Sequence, residues 1–197
     1  MRAHFRFEFA FPRNYEVKVL ESAPLPHPLE KLHHFPLELE EGDRAGAYVR
    51  VVPAKGHAWN GFFLQGFDSD QVVTCVASCP DPDSLCVVAG GYGYVVKAND
   101  PAQWLQIEQR PVAELRSSVG LPFAEPGLLL FAGFTSITAL GRSGLAWTTG
   151  RLSWEGIRIT RIVGGALHGF GWDATSDQEA AFVVDLKTGK HTGGARP

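Results

Sequence analysis

Two short stretches carry the residues best suited to holding a ligand: KGHAWNGFF at 55–63 and ALHGFGWD at 166–173. Each sets a histidine beside a glycine and near Trp and Phe. The first supplies His57 and Trp59, the second His168, Trp172 and Asp173. Aromatic walls bearing a few polar groups are the usual lining of a small-molecule pocket. On neighbouring strands, His57, Trp59, His168 and Trp172 would face one concave surface, with the Asp173 carboxylate beside it. The same residues also suit an aromatic-rich sheet interior. Spacing alone does not say whether His57 and His168 share a site.

The thiols are the next candidates. Cys75, Cys79 and Cys86 lie within TCVASCPDPDSLC. A structural zinc site takes four soft ligands, usually as two close pairs. Here a fourth ligand would have to come from a distant histidine. On one strand, Cys75 and Cys79 would stand roughly 13 Å apart, too far to chelate one ion without a turn. The expected role is that of small core residues, and no metal site is expected. A nucleophilic thiol needs a nearby base and an orienting acid, and nothing in the spacing supplies them. The adjacent pair His33-His34 sends its rings in divergent directions in either a helix or a strand. Asp68/Asp70, Asp81/Asp83 and Asp173/Asp177 sit in turn-like contexts where Asp normally closes Asx-turns. AGGYGYV lacks the glycine spacing and the following helix of a phosphate cradle, so no cofactor is expected.

The elements that must position these residues are strands. HFRFEFAF (4–11) and YEVKVLE (15–21) alternate with a period of two, and PRN lies between them. That pattern predicts a β-hairpin over 4–19 with four Phe rings turned to a core. Residues 22–44 carry Pro24, Pro26, Pro28 and Pro36. They read as a connector, with one short helix in PLEKLHHF. Strands are expected at 47–52, 60–67, 71–78, 85–90, 92–98, 127–133, 135–140, 145–149, 156–163, 166–172 and 180–185, separated by Gly- and Asp-rich turns. A second short helix is expected around VAELRSSV (112–119), between Pro111 and Gly120. TGKHTGGARP reads as a frayed tail.

A repeat lies beneath the strands. An offset of 43 sets SLCVVAGGYGYVVKANDPAQW (84–104) against GLLLFAGFTSITALGRSGLAW (127–147), matching Ala89 to Ala132, Gly90 to Gly133 and Trp104 to Trp147. This resembles the ~40–45-residue repeat of β-propeller blades. The resemblance is to an architecture and implies no activity. Propellers use roughly 4–8 blades, and 197 residues hold fewer, so a sandwich-like packing of such sheets is the preferred form.

The totals bound the rest. With 45% apolar and 20% charged residues the chain has an ordinary globular composition. The formal net charge of −3 offers no general attraction for phosphate backbones, so nucleic acid is not an expected partner. No apolar run reaches the ~20 residues that span a bilayer, so no membrane association is expected. The N-terminus lacks a signal-peptide pattern, and the odd cysteine count favours reduced thiols. A cytoplasmic location is therefore expected.

The expected fold is all-β and mainly antiparallel: sandwich-like or partial-propeller-like sheets with one or two short helices. The expected organisation is an N-terminal hairpin and connector (1–44), a main β domain (45–190) and a flexible tail (191–197). The expected function is a non-catalytic module binding a protein partner, another copy of itself or a small ligand. One alternative is a hydrolase-type enzyme with a Cys/His or Asp/His site near His57 and His168. The other is a metal-binding β protein.

Overall fold

Alternation of apolar and polar residues governs the observed architecture, as in β4 (Gly46–Pro53), where every second residue is buried. The structure, a computed structural model, describes residues 5–37, 45–119 and 127–196. The described residues contain strands and no helix. The chain divides into two compact units, 1–110 and 111–197.

The first unit holds β1 (Arg6–Glu8), β2 (Tyr15–Leu20), β3 (Leu32–Phe35), β4, β5 (Trp59–Leu64), β6 (Cys75–Ser78), β7 (Ser84–Ala89), β8 (Tyr92–Lys97) and β9 (Asp100–Gln106). Its first sheet runs β2-β4-β5-β3 and its second β1-β6-β7-β8-β9. Two pairings are parallel, β1 with β6 and β3 with β5. The inner faces meet in one core, where Phe35, Val49, Val51 and Phe63 pack with Val76, Leu85, Val87, Tyr94 and Val96. β7 is buried along its whole length.

The second unit holds β10 (Glu114–Ser117), β11 (Leu129–Ala132), β12 (Ile137–Gly141), β13 (Gly144–Thr148), β14 (Ile157–Val163), β15 (Ala166–Asp173), β16 (Gln178–Asp185) and β17 (His191–Gly193). They form two four-stranded antiparallel sheets, β10-β11-β12-β13 and β14-β15-β16-β17. Leu130, Ile137 and Leu152 pack with Leu167, Phe182 and Val184 in its core.

The expected 43-residue echo is a correspondence of strands. Trp104 on β9 pairs with Val96, and Trp147 on β13 pairs with Ala139. Residues at the same offset are thus in the same register. One strand earlier the registers differ by two residues, because Gly90-Gly91 closes the β7–β8 turn and 133–136 closes the β11–β12 turn. A second recurrence ties sheets together within each unit. The Trp59 indole donates to the Ala98 carbonyl (2.7 Å), and the Trp147 indole donates to the Leu186 carbonyl (2.9 Å). Both bonds span 39 residues, from one sheet to the segment just after the third of the four sequential strands of the next.

Several expectations are corrected. The 4–19 hairpin does not form: β1 pairs with β6 and β2 with β4. Residues 5–37 fall within the first unit. The strand ends at Glu8, so the Phe alternation is not carried through. Phe5 packs on the core and Phe11 is buried. Phe7 and Phe9 are 52% and 38% exposed, their ring centroids 5.7 Å apart, and the Arg13 guanidinium lies 3.8 Å from the Phe9 centroid. The helix expected in PLEKLHHF is strand β3. Phe35 is drawn into the core, where it stacks on Phe63 at 4.7 Å. The helix expected at 112–119 is strand β10, whose Leu115 is buried and whose four residues pair with β11. The tail expected at 191–197 carries β17, paired with β16 from Phe182↔Gly193 to Val184↔His191. Ala195 is buried beyond it.

Asp81 shows the turn chemistry expected of the aspartates. Its carboxylate accepts from Ser84 Oγ (2.5 Å) and the Asp83 amide (3.3 Å), and pairs with Lys97. Burial works against its charge, but the hydrogen bonds from Lys97, Ser84 and Asp83 outweigh burial and hold the carboxyl below its usual range. Its contribution to stability is therefore complete above the unfolded carboxyl pKa and is lost as pH falls through the lower folded value. Asp81→Asn is expected to cost about 1–2 kcal/mol at neutral pH, allowing for water screening of the Lys97 pair. Thermal melts at pH 7 and pH 3 check this: the gap between wild type and variant should shrink in acid.

Candidate functional site

β15 presents the clearest constellation. Along ALHGFGWD the inward positions are Leu167, Gly169, Gly171 and Asp173, and Ala166, His168, Phe170 and Trp172 are half-exposed on the other face. Period two places three aromatic or imidazole rings in a row there. The neighbouring strands frame that row with charge. Arg158 on β14 is level with Phe170, Arg161 with His168, and Glu179 on β16 with Trp172. Arg158 Nη2 donates to both Glu179 oxygens, at 2.7 and 2.9 Å. Its guanidinium also lies 4.7 Å from the Phe170 centroid. Arg158 is thereby held over the ring and tied at its tip.

One end of the row is walled by the 152–157 segment. Gly171 permits its approach: a Cβ there would lie 2.2 Å from the Leu152 carbonyl oxygen. Ser153 then organises the turn. Its hydroxyl accepts from the Trp172 amide (2.8 Å) and the Glu155 amide (3.2 Å) and donates to the Gly156 carbonyl (2.6 Å). The Trp154 amide donates to the Trp172 carbonyl (2.9 Å). The result is an open groove of about 440 Å³ lined by Glu155–Arg158, Phe170–Trp172 and Glu179. Trp154 stands 39% exposed at this end, with the Arg151 guanidinium 3.9 Å from its ring centroid.

The candidate residues fall as follows. His168 and Trp172 share the half-exposed face of β15, and Trp172 lines the groove. Asp173 faces inward and is 3% exposed. It accepts from Ser176 Oγ (2.8 Å) and from the Thr175 and Arg196 amides (both 3.3 Å). The Ser176 hydrogen bond is the main reason its carboxyl is held low, followed by opposing burial and the two amides. Asp173 is thus a turn-closing residue. His57 and Trp59 belong to the other unit. His57 is exposed on the β4–β5 loop, and Trp59 is buried with its indole engaged by Ala98.

Burial of the three thiols bears on the Cys/His alternative. It pushes Cys75 up to about 12 and raises Cys79 and Cys86 further. A thiol so raised holds little thiolate at neutral pH. Among the described residues no group of three His, Cys, Asp or Glu side chains is placed to hold a metal ion.

Sequence reasoning did not reach Arg158, Phe170 and Glu179. Phe170 was legible from the alternation that selects His168 and Trp172. The Arg158–Glu179 frame was not, because β14 shifts register between Ile159 and Arg161.

Compared with known proteins, the sequence matches no family model. No curated protein matches it significantly.

Proposed function

We propose that this chain is a non-catalytic binding module that grips an extended segment of a partner protein across the outer face of β15. The observation that carries this reading is the Phe170–Trp172 row, framed by the mutually bonded Arg158 and Glu179. Trp and Arg dominate the energetics of protein contacts because they combine large area with polar tips. The groove is open and shallow, which suits a chain segment better than an enclosed metabolite. The sheet architecture supports the reading too: small, mostly antiparallel sheets such as β14-β15-β16-β17 offer outer faces and loops suited to docking.

The test uses a random peptide library displayed on phage, selected against the full chain. Enrichment of a peptide whose affinity falls about tenfold or more in Trp172→Ala, the loss typical of an interface hot spot, supports the proposal. No enrichment, or peptides indifferent to Trp172→Ala, overturns it. Sedimentation velocity covers the remaining case: a dimer dissociated by Trp172→Ala would make a second copy of this chain the occupant and overturn the partner reading.

A further inference from the structure

The groove beside β15 is unequal in charge. Its charged lining residues are Glu155, Arg158 and Glu179, two carboxylates against one cation. Arg158 is engaged within the chain: Nη2 donates to both Glu179 oxygens, and the guanidinium lies over Phe170. Glu155 has no such answer. It is exposed, and among the described residues no hydrogen bond or ion pair reaches its carboxylate. The nearby cations Arg151 and Arg161 do not line the groove. The first lies over Trp154, and the second is level with His168.

The rings divide in the same way. Phe170 is covered by Arg158 and Trp154 by Arg151. Trp172 lines the groove half-exposed, and no cation among the described residues lies over it. The unanswered carboxylate and the uncovered ring start from neighbouring points. The Glu155 and Trp172 amides both donate to Ser153 Oγ, at 3.2 and 2.8 Å, at one end of the groove.

We propose that the segment gripped at β15 carries an arginine, whose guanidinium lies over Trp172 and pairs with Glu155. This rests on the β15 reading above and names the partner's chemistry there. Arginine suits the place better than lysine, because a flat guanidinium stacks on an indole while its edge meets a carboxylate with two N–H donors. An acidic side chain there would face the like charge of Glu155. An apolar one would draw water from that carboxylate without replacing it.

The experiment selects nonapeptide phage libraries in parallel against the full chain, the central residue fixed as Arg, Gln or Glu and the flanks random. The Arg library is expected to enrich ahead of the other two. Its best peptide is then synthesised with Arg or with citrulline, the uncharged isostere, at the centre, and titrated against wild type and Glu155→Gln. Citrulline should weaken binding to wild type about tenfold, through loss of the ion pair and the cation–π contact. Glu155→Gln should weaken the Arg peptide about threefold to fivefold and leave the citrulline peptide unchanged. Glu155 is exposed, so the variant should melt as wild type does. Trp172-dependent peptides that emerge equally from the Gln or Glu libraries overturn this inference and leave the β15 reading standing. An Arg peptide indifferent to Glu155→Gln does the same. If no library yields a peptide that depends on Trp172, both fall.

Discussion

Phe35→Ala is expected to lower the unfolding free energy by about 3–5 kcal/mol, the range for truncating a fully buried Phe. The side chain has no exposed surface. It stacks on Phe63 at 4.7 Å and 14°, meets Trp104 edge-on at 5.5 Å, and lies 6.2 Å from Trp59. Those three residues come from two sheets, so the ring fills the space where the sheets close. It also sits at the end of β3, an edge strand of four residues held by parallel pairing to β5 alone. What then secures β3 is its ladder to β5 and the edge-on contacts of His33 on Trp59 and His34 on Phe62. Urea denaturation checks the value: the midpoint should fall with the slope unchanged. Leu25→Ala provides the contrast. Leu25 is 88% exposed, and its truncation should change stability by less than about 0.5 kcal/mol.

Gly171→Val is expected to be comparably damaging for the opposite reason, an excess of atoms. Even a single Cβ at this position meets the Leu152 carbonyl oxygen at 2.2 Å and Ser153 Cβ at 2.7 Å. Neither can yield as the end of a flexible side chain would. Relief requires the 152–153 backbone to lift from β15. That movement breaks the bonds from the Trp172 amide to Ser153 Oγ and from the Ala195 amide to the Leu152 carbonyl (3.0 Å), and it withdraws Leu152 from the core. A loss of about 3 kcal/mol or more follows, at the upper end for overpacking. Hydrogen exchange should show faster exchange at Trp172 and Ala195 before the rest of the unit. Peptide binding at the groove should weaken with it. Gly141→Ala is the matched control: its nearest neighbours would lie 3.7 Å from the new Cβ, an ordinary contact. It should be close to neutral.

The strands that sequence patterning reveals here are those whose environment is local and regular. β4 and β15 each alternate without a break over eight residues. Both are legible because every second residue answers to one core. β3 and β10 were not legible, because their strand character comes from distant neighbours. LHHF is held by β5 across a separation that no local signal encodes. ELRS gains its identity from pairing with β11, while Pro111 and Gly120 in the sequence mimic helix boundaries. The Phe run misled for a related reason. Alternation specifies a face only while the strand continues, and β1 stops after three residues. The groove divides in the same way. Its aromatic row can be read along one strand, whereas its Arg158–Glu179 frame depends on pairing across β15 and on a bulge.

The thiols qualify one inference from composition. Cys75, Cys79 and Cys86 are all buried and unpaired, and burial raises their pKa values. Their reduced state follows from being sealed in the sheet interior, so cysteine parity in this chain carries little information about the redox state of its surroundings.

The paired indole ties at Trp59 and Trp147 bear on how such a chain can change length. Each N–H lies out of bulk water or nearly so, and its acceptor is supplied by the sheet that follows. Deleting the acceptor-bearing sheet alone would strand an indole donor, and deleting the donor-bearing sheet alone would lose the tie. Duplication or loss over evolutionary time is therefore expected to proceed in two-sheet steps, with the indole and its distant acceptor copied together.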